Sequence, residues 1–241
     1  MRTCGSALTR IAKARPLENL IQLDTEERIT SLLNIESFDD AGFVFMATVK
    51  GVVKKTPLED FRLPRKNGKR AIKLDAKDEL VGTKITDGKQ HTMLISDAGK
   101  AVYFNEKDAR PMGRDTRGVK GITLEEKQSV IALIMPNNDN EILTVSENGF
   151  GKRSKVEDFR KTKRGAKGVI AMQLSERNGK LISANQVSEE NQVILISNKG
   201  TLVRTNVSEI SVIGRNTQGV RVIKLKANEK LNGMALAIEN D

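Results

Sequence analysis

A short apolar run, then a polar turn ending in glycine, then a second strand-like run, recurs four times along the chain. The first runs are VFMA (44–47), MLI (93–95), ILTV (142–145) and VILI (193–196). Apolar runs of this length bounded by turn residues are typical of strands that are covered on both faces. Glycine supplies the positive φ of a tight turn. Each segment therefore predicts a β-hairpin.

The pattern is a repeat of about fifty residues. The turn glycines Gly51, Gly99, Gly149 and Gly200 are 48, 50 and 51 residues apart. A basic, mostly Gly-containing tail follows each hairpin and closes on Leu74, Leu124, Leu174 or Leu225, and Leu23 continues that series backwards. An apolar head recurs at 28–35, 79–86, 129–136, 180–187 and 230–238. A repeat of this kind predicts one array of equivalent units.

One unit is too small to bury its own faces, so neighbouring units must cover them. We predict an all-β, propeller-like domain of repeated blades of about fifty residues, each a four-stranded sheet. The predicted divisions are a tail (1–24), four blades (25–75, 76–125, 126–175 and 176–226) and a head (227–241). Closure of a ring by pairing of the first tail with the last head is a hypothesis.

The amino-acid composition narrows the classes of function that are possible. The chain has 41 Lys and Arg against 31 Asp and Glu, a net charge of +10 and a pI near 9.7. This charge predicts a polyanionic partner. One cysteine and one histidine argue against disulfide, zinc and Ser-His-Asp chemistry, and we expect no cofactor. Eight aromatic residues are too few for a row of base-stacking platforms, which favours duplex over single-stranded nucleic acid.

The positive charge is concentrated in the tails. Because equivalent positions of a repeat fall at equivalent places in an array, the clusters predict one continuous basic rim. The candidate DNA contacts in the tails are Lys13, Arg15, Arg65, Lys66, Lys69, Arg70, Arg114, Arg117, Lys120, Lys163, Arg164, Lys167, Arg215 and Arg221. Tail glycines such as Gly118, Gly121, Gly165, Gly168 and Gly219 are expected to let a phosphate approach the backbone.

A second basic column lies four residues after each turn glycine. It contains Lys55, Arg153 and Arg204, with Tyr103 at the remaining position. The three cations are added to the candidate DNA contacts, and Tyr103 is interpreted as a strand residue.

Several of these stretches resemble the C-terminal domain of the DNA gyrase A protein. They are KGVVKKTPLEDF (50–61), MGRDTRGVKGITL (112–124), NGFGKRSKVEDF (148–159), NKGTLVRTNVSEI (198–210) and SEISVIGRNTQGVRVIKL (208–225). The resemblance spans residues 10 to 240 and implies a β-pinwheel whose basic perimeter wraps double-stranded DNA for strand passage. It also implies a non-catalytic part of an ATP-hydrolysing type II topoisomerase, whose partners are the gyrase A breakage-reunion region and the gyrase B protein. We expect a cytoplasmic, chromosome-associated bacterial protein without membrane contact.

The resemblance has two departures. The first of the family's six blades is absent, and so is its Gln-Arg-Arg-Gly-Gly-Lys-Gly box, for which Lys163–Gly168 is a degenerate repeat equivalent. A five-bladed form like that of topoisomerase IV is therefore an alternative. A propeller whose basic rim docks acidic proteins is another, and an enzyme in its own right is the third.

Overall fold

The computed structural model describes residues 29–35, 37–38, 42–63 and 68–237. Within these ranges the fold is all-β, with short 3-10 helices. The strands are β1 Phe43–Thr48, β2 Val52–Pro57, β3 Leu80–Thr86, β4 His91–Ser96, β5 Lys100–Asn105, β6 Val119–Lys120, β7 Val130–Ile134, β8 Glu141–Ser146, β9 Phe150–Lys155, β10 Val169–Ile170, β11 Leu181–Val187, β12 Gln192–Ser197, β13 Leu202–Asn206, β14 Val220–Arg221 and β15 Leu231–Ala237. The 3-10 helices are Leu58–Phe61, Glu106–Asp108, Val156–Asp158 and Val207–Glu209.

The four predicted hairpins are confirmed as β1–β2, β4–β5, β8–β9 and β12–β13. Their turn glycines Gly51, Gly99, Gly149 and Gly200 have φ values of 80°, 71°, 81° and 79°. This left-handed conformation is open to glycine without strain, which explains why the glycine recurs at this position.

The strands form four antiparallel sheets, which we call blades 1 to 4. Their orders are β3-β1-β2-β6, β7-β4-β5-β10, β11-β8-β9-β14 and β15-β12-β13. Each blade contains a hairpin and, at one edge, the apolar head strand that follows it in the chain. Within the described residues blade 4 has these three strands, where four were predicted. In blades 1 to 3 the opposite edge is a two-residue strand from the next hairpin's tail.

The predicted divisions at 25–75, 76–125, 126–175 and 176–226 cut across these sheets. Tail residues 119–120 follow the β4–β5 hairpin of blade 2, yet they pair with residues 52–53 of blade 1. The head strand Leu80–Thr86 pairs with β1 of blade 1, although the division at 75 places it in the following unit. One sheet therefore takes strands from two neighbouring sequence repeats.

The blades stack face to face, so that each shares a hydrophobic core with the next. Phe45, Val53 and Phe104 lie in the core between blades 1 and 2. Met93 and Phe150 lie in the core between blades 2 and 3, and a third core joins blades 3 and 4. Successive head strands β3, β7, β11 and β15 contact one another, so they form the inner edge of the stack. The tails consequently lie at the outer edge.

Candidate nucleic-acid interface

The three tails that follow β5, β9 and β13 each enter the outer edge of the preceding blade in the same way. Residues 55, 103 and 153 make isolated parallel bridges to residues 111, 161 and 212. The chain then forms a loop and returns as the short antiparallel tail strand. We call the loops rim loop 1 (residues 113–117), rim loop 2 (163–167) and rim loop 3 (214–218), on blades 1, 2 and 3 respectively.

Main-chain hydrogen bonds join successive tails to one another. The Lys73 N–H donates to the Thr116 carbonyl (3.0 Å), and the equivalent bonds one and two repeats later run from Thr123 to Ala166 and from Gln173 to Thr217 (both 2.9 Å). The tails are thus adjacent along one outer edge, which we call the rim.

Six of the sequence-predicted cations are exposed on the rim: Arg70, Arg117, Lys120, Lys163, Lys167 and Arg221. Arg117 also lies 3.1 Å from the carboxylate of Asp75. Arg204 is exposed as well, on strand β13 of blade 4. Lys69 is partly exposed and donates to the Asp60 carbonyl at 3.2 Å. Lys13, Arg15, Arg65 and Lys66 lie outside the described residues.

Arg114, Arg164 and Arg215 occupy equivalent positions in the three rim loops and are half-buried. Arg164 donates from Nε to the Asp108 carbonyl (2.8 Å) and from a terminal nitrogen to the Lys120 carbonyl of the preceding tail (3.2 Å). Arg215 repeats this arrangement with the carbonyls of residues 158 and 170 (3.0 and 2.9 Å). A terminal nitrogen of Arg114 lies 3.4 Å from the Arg70 carbonyl. These arginines brace one tail against the next.

Lys55 and Arg153, predicted as DNA contacts, are buried, each with 3% of its surface exposed. The Lys55 ammonium donates to the Glu106 carbonyl at 3.0 Å and lies 3.8 Å from the Glu106 carboxylate. Burial lowers its pKa, which Glu106 opposes. Arg153 donates from Nε to the Ile210 carbonyl (2.7 Å) and lies 3.5 and 3.4 Å from the carboxylates of Glu141 and Glu189. These contacts use both side chains inside the protein, so we remove them from the DNA-contact set.

Four of the tail glycines lie close against their own blade. A Cβ on Gly118 would lie 2.5 Å from the Val53 carbonyl oxygen, and on Gly168 it would lie 2.5 Å from that of Ala101. Gly121 and Gly219 face Val53 and Gly151 with similarly short distances. These four glycines let the tail approach its own blade, whereas a Cβ on Gly165 would meet no atom closer than 3.8 Å. Access of a phosphate to the tail backbone stays a prediction.

Two lysines outside the predicted set hold the rim loops. Lys54 on β2 and Lys152 on β9 are fully buried. The Lys54 ammonium donates to the carbonyls of Ala71 (2.7 Å) and Arg114. The Lys152 ammonium donates to the carbonyls of Gly214 (2.8 Å) and Arg215 and to Thr217 Oγ1 (3.2 Å). The sequence carries a signal for them, because each precedes a basic residue at the same place in its repeat.

Burial lowers the pKa of both Lys54 and Lys152 to about 8. Nearby Asp115 and Asp60 oppose the shift at Lys54, as Asp158 does at Lys152. Arg114 and Arg215 add to it. Both ammonium groups therefore remain mostly charged at pH 7.

Two arrangements are absent from the described ranges, namely a cluster of metal-ligating side chains and a membrane-spanning helix. No group of three or more His, Cys, Asp or Glu side chains there is arranged to hold a metal ion. None of the helices in those ranges is long and apolar enough to span a membrane.

A family model described as "DNA gyrase C-terminal domain, beta-propeller" matches residues 42–87, 90–137, 140–188 and 191–237. Each range contains one hairpin and the head strand after it, which is the sheet-based unit. The DNA gyrase A protein of Escherichia coli (strain K12) is 46% identical over 231 residues, covering 96% of this chain and 26% of that protein. Its Haemophilus influenzae counterpart is 40% identical over 261 residues, with 97% and 30% covered. The chain thus spans about a quarter to a third of the length of these relatives.

Solved structures match as well. The DNA gyrase A C-terminal domain superposes with a TM-score of 0.81 at 28% identity, covering 94% of this chain and 76% of that one. The C-terminal domain of DNA topoisomerase IV gives a TM-score of 0.85 at 24% identity, with 91% and 69% covered, and supports the fold.

Proposed function

Because this chain belongs to the DNA gyrase C-terminal domain family, we propose that it is a non-catalytic module that binds and bends double-stranded DNA along the rim. The observation that carries the proposal is the series of hydrogen bonds from tail to tail, which holds four successive basic tails next to one another. The exposed rim cations can then neutralise successive phosphates and release counterions, which gives affinity without sequence preference.

A duplex that follows a stack of blades must bend. Smooth bending of 20–30 base pairs by 40–90° costs about 1–6 kcal/mol. Each further blade offers more cations to offset this cost, so contact over several blades favours the bent form. In the proposed role, the bent duplex is presented to a type II topoisomerase for strand passage. Its proposed partners, in the bacterial cytoplasm and on the chromosome, are the gyrase A breakage-reunion region and the gyrase B protein.

The test compares two double variants of equal charge on opposite edges of the blades. Lys163→Ala/Lys167→Ala removes two exposed cations from rim loop 2, and Lys84→Ala/Lys89→Ala removes two near the inner edge. Binding to a mixed-sequence duplex is measured over a salt series. Each lost phosphate contact lowers the salt slope by about 0.9, so we expect the rim pair to lower it by about 1.8 and the control pair by less than half of that.

Binding that is indifferent to ionic strength, or equal losses in the two double variants, would reject the proposal. Capture of an acidic protein that persists after nuclease treatment and in excess duplex would favour the alternative of a protein-interaction propeller.

A further inference from the structure

The two buried lysines are equivalent residues two repeats apart, each on the second hairpin strand of its blade. Lys54 holds rim loop 1 and Lys152 holds rim loop 3, in both cases through main-chain carbonyl oxygens. Among the described residues, no carboxylate lies within ion-pair distance of either ammonium. Their partners are therefore the rim loops and, for Lys54, also the preceding tail.

Blade 2 holds its rim loop differently. Val102 stands where the lysines stand in blades 1 and 3, and Ala166 of rim loop 2 packs against the core cluster that contains Val102. Rim loops 1 and 3 have Thr116 and Thr217 at the Ala166 position, and each threonine hydroxyl donates to a glycine carbonyl of its own loop at 2.9 Å. The same sheet position therefore accepts either an apolar contact or a lysine clamp.

Holding the rim loop with a buried lysine costs more free energy than holding it with an apolar contact. A buried ammonium loses its hydration and needs hydrogen-bond partners to compensate. Valine in blade 2 shows that the fold does not require a lysine there. A tripod of three N–H donors can fix the direction of several carbonyls, which a valine cannot do. Compared with valine, the lysine therefore adds a fixed geometry of the rim loop.

The clamped main chain carries the brace arginines. Lys152 donates to the Arg215 carbonyl, while the Arg215 side chain bonds the preceding tail at the Ile170 carbonyl. Lys54 in the same way binds the Arg114 carbonyl and also the Ala71 carbonyl of the preceding tail. Each lysine thus fixes both its own loop and the loop's junction with the neighbouring tail.

We propose that Lys54 and Lys152 are positioning residues for DNA binding, which hold rim loops 1 and 3 so that the nearby rim cations meet phosphates, while their own ammonium groups do not touch DNA. This inference rests on the proposed function. For Lys54 the cations concerned are Arg117 and Lys120, which are exposed on the same tail.

The principal test is Lys54→Met, with Lys163→Met as the matched control. Methionine keeps most of the length of the stem and removes the donors. The salt slope of duplex binding is measured together with amide hydrogen exchange of residues 112–121. We expect Lys54→Met to lower the slope by the equivalent of two or more phosphate contacts, about 1.8 or more, and to speed exchange in the loop. Lys163→Met should lower the slope by about 0.9 and leave that exchange unchanged.

A second pair of variants tests the same role without altering any charge. Thr217→Ala removes an acceptor of the Lys152 ammonium, and Thr217→Ser retains it. A positioning role predicts a lower salt slope for Thr217→Ala and a normal slope for Thr217→Ser. If Lys54→Met does not fold, the comparison of Thr217→Ala with Thr217→Ser tests the positioning role on its own.

Three results would overturn the inference. A folded Lys54→Met protein with an unchanged salt slope would show that the lysine serves packing alone. A loss of one contact with unchanged exchange would make Lys54 an ordinary phosphate contact. Equal salt slopes for Thr217→Ala and Thr217→Ser would reject the positioning role of Lys152. If the wild-type chain itself binds DNA without salt dependence, the proposed function fails instead, and the exchange data separate the two failures.

Discussion

At the scale of single residues, charge inside a blade has a measurable consequence for stability. The Lys152 pKa falls to about 8 because burial disfavours its charged form. An unfolded lysine titrates near a pKa of about 10.4. Between these two values the unfolded chain binds more protons than the native chain, and the free energy of unfolding therefore rises with pH. Asp158 and Arg215 are its charged neighbours.

We therefore expect the wild-type protein to gain stability relative to Lys152→Met as the pH is raised from about 7.5 to about 9.5. Urea unfolding of both proteins at the two pH values measures the change, and groups common to both cancel. The exposed control Lys163→Met should keep a constant difference from wild type. A wild-type advantage that shrinks with pH would contradict the lowered pKa of Lys152.

At the scale of elements, the two-residue tail strands depend on close approach of the backbone. Gly118 has a φ of 102°, and a Cβ there would lie 2.5 Å from the Val53 carbonyl oxygen. The carbonyl belongs to strand β2, so it cannot move aside as the end of a flexible side chain could. Gly113 in the same tail has no atom within 4 Å of its Cβ position.

Gly118→Ala should therefore destabilise the protein by about 3 kcal/mol, through backbone strain and displacement of β6 from blade 1. Gly113→Ala should change stability by no more than about 0.5 kcal/mol. Denaturant unfolding of the two variants side by side checks the difference. Equal unfolding midpoints would mean that the tail strand adds little to blade 1.

At the scale of the whole molecule, the position of the rim predicts an effect on DNA topology. A duplex bent around the rim in a fixed direction should trap writhe in a closed circle. Nicked circular DNA is incubated with the protein, ligated and freed of protein, and its linking number is compared with that of circles ligated alone. We expect a shift of one sign that grows with protein and is weakened in Lys163→Ala/Lys167→Ala. An unchanged distribution would limit the protein to binding without a chiral bend.

Much of this arrangement could be predicted from the sequence. The hairpins, their turn glycines and the strand assignment of Tyr103 followed from local patterns with a fixed period. The blade with which each tail pairs could not be predicted. The pairing of residues 119–120 with 52–53 is non-local, and nothing in the tail sequence specifies its partner strand. Lys55 was wrongly predicted as a DNA contact, and the role of Lys54 was missed, for a related reason. Adjacent strand residues point to opposite faces, and here both faces are covered by neighbouring elements.

The return of each tail to the preceding blade has a practical consequence for dissecting the protein. A chain severed between Pro136 and Asn140 would leave the blade 2 hairpin and its head strand intact, yet strand β10 lies on the far side of the cut. The remaining fragment would expose the unpaired edge of β5, where other molecules can add a strand. An N-terminal fragment that keeps the edge of β5 paired therefore has to extend to about Leu174, so it also includes the β8–β9 hairpin. That hairpin will in turn lack its edge strands β11 and β14.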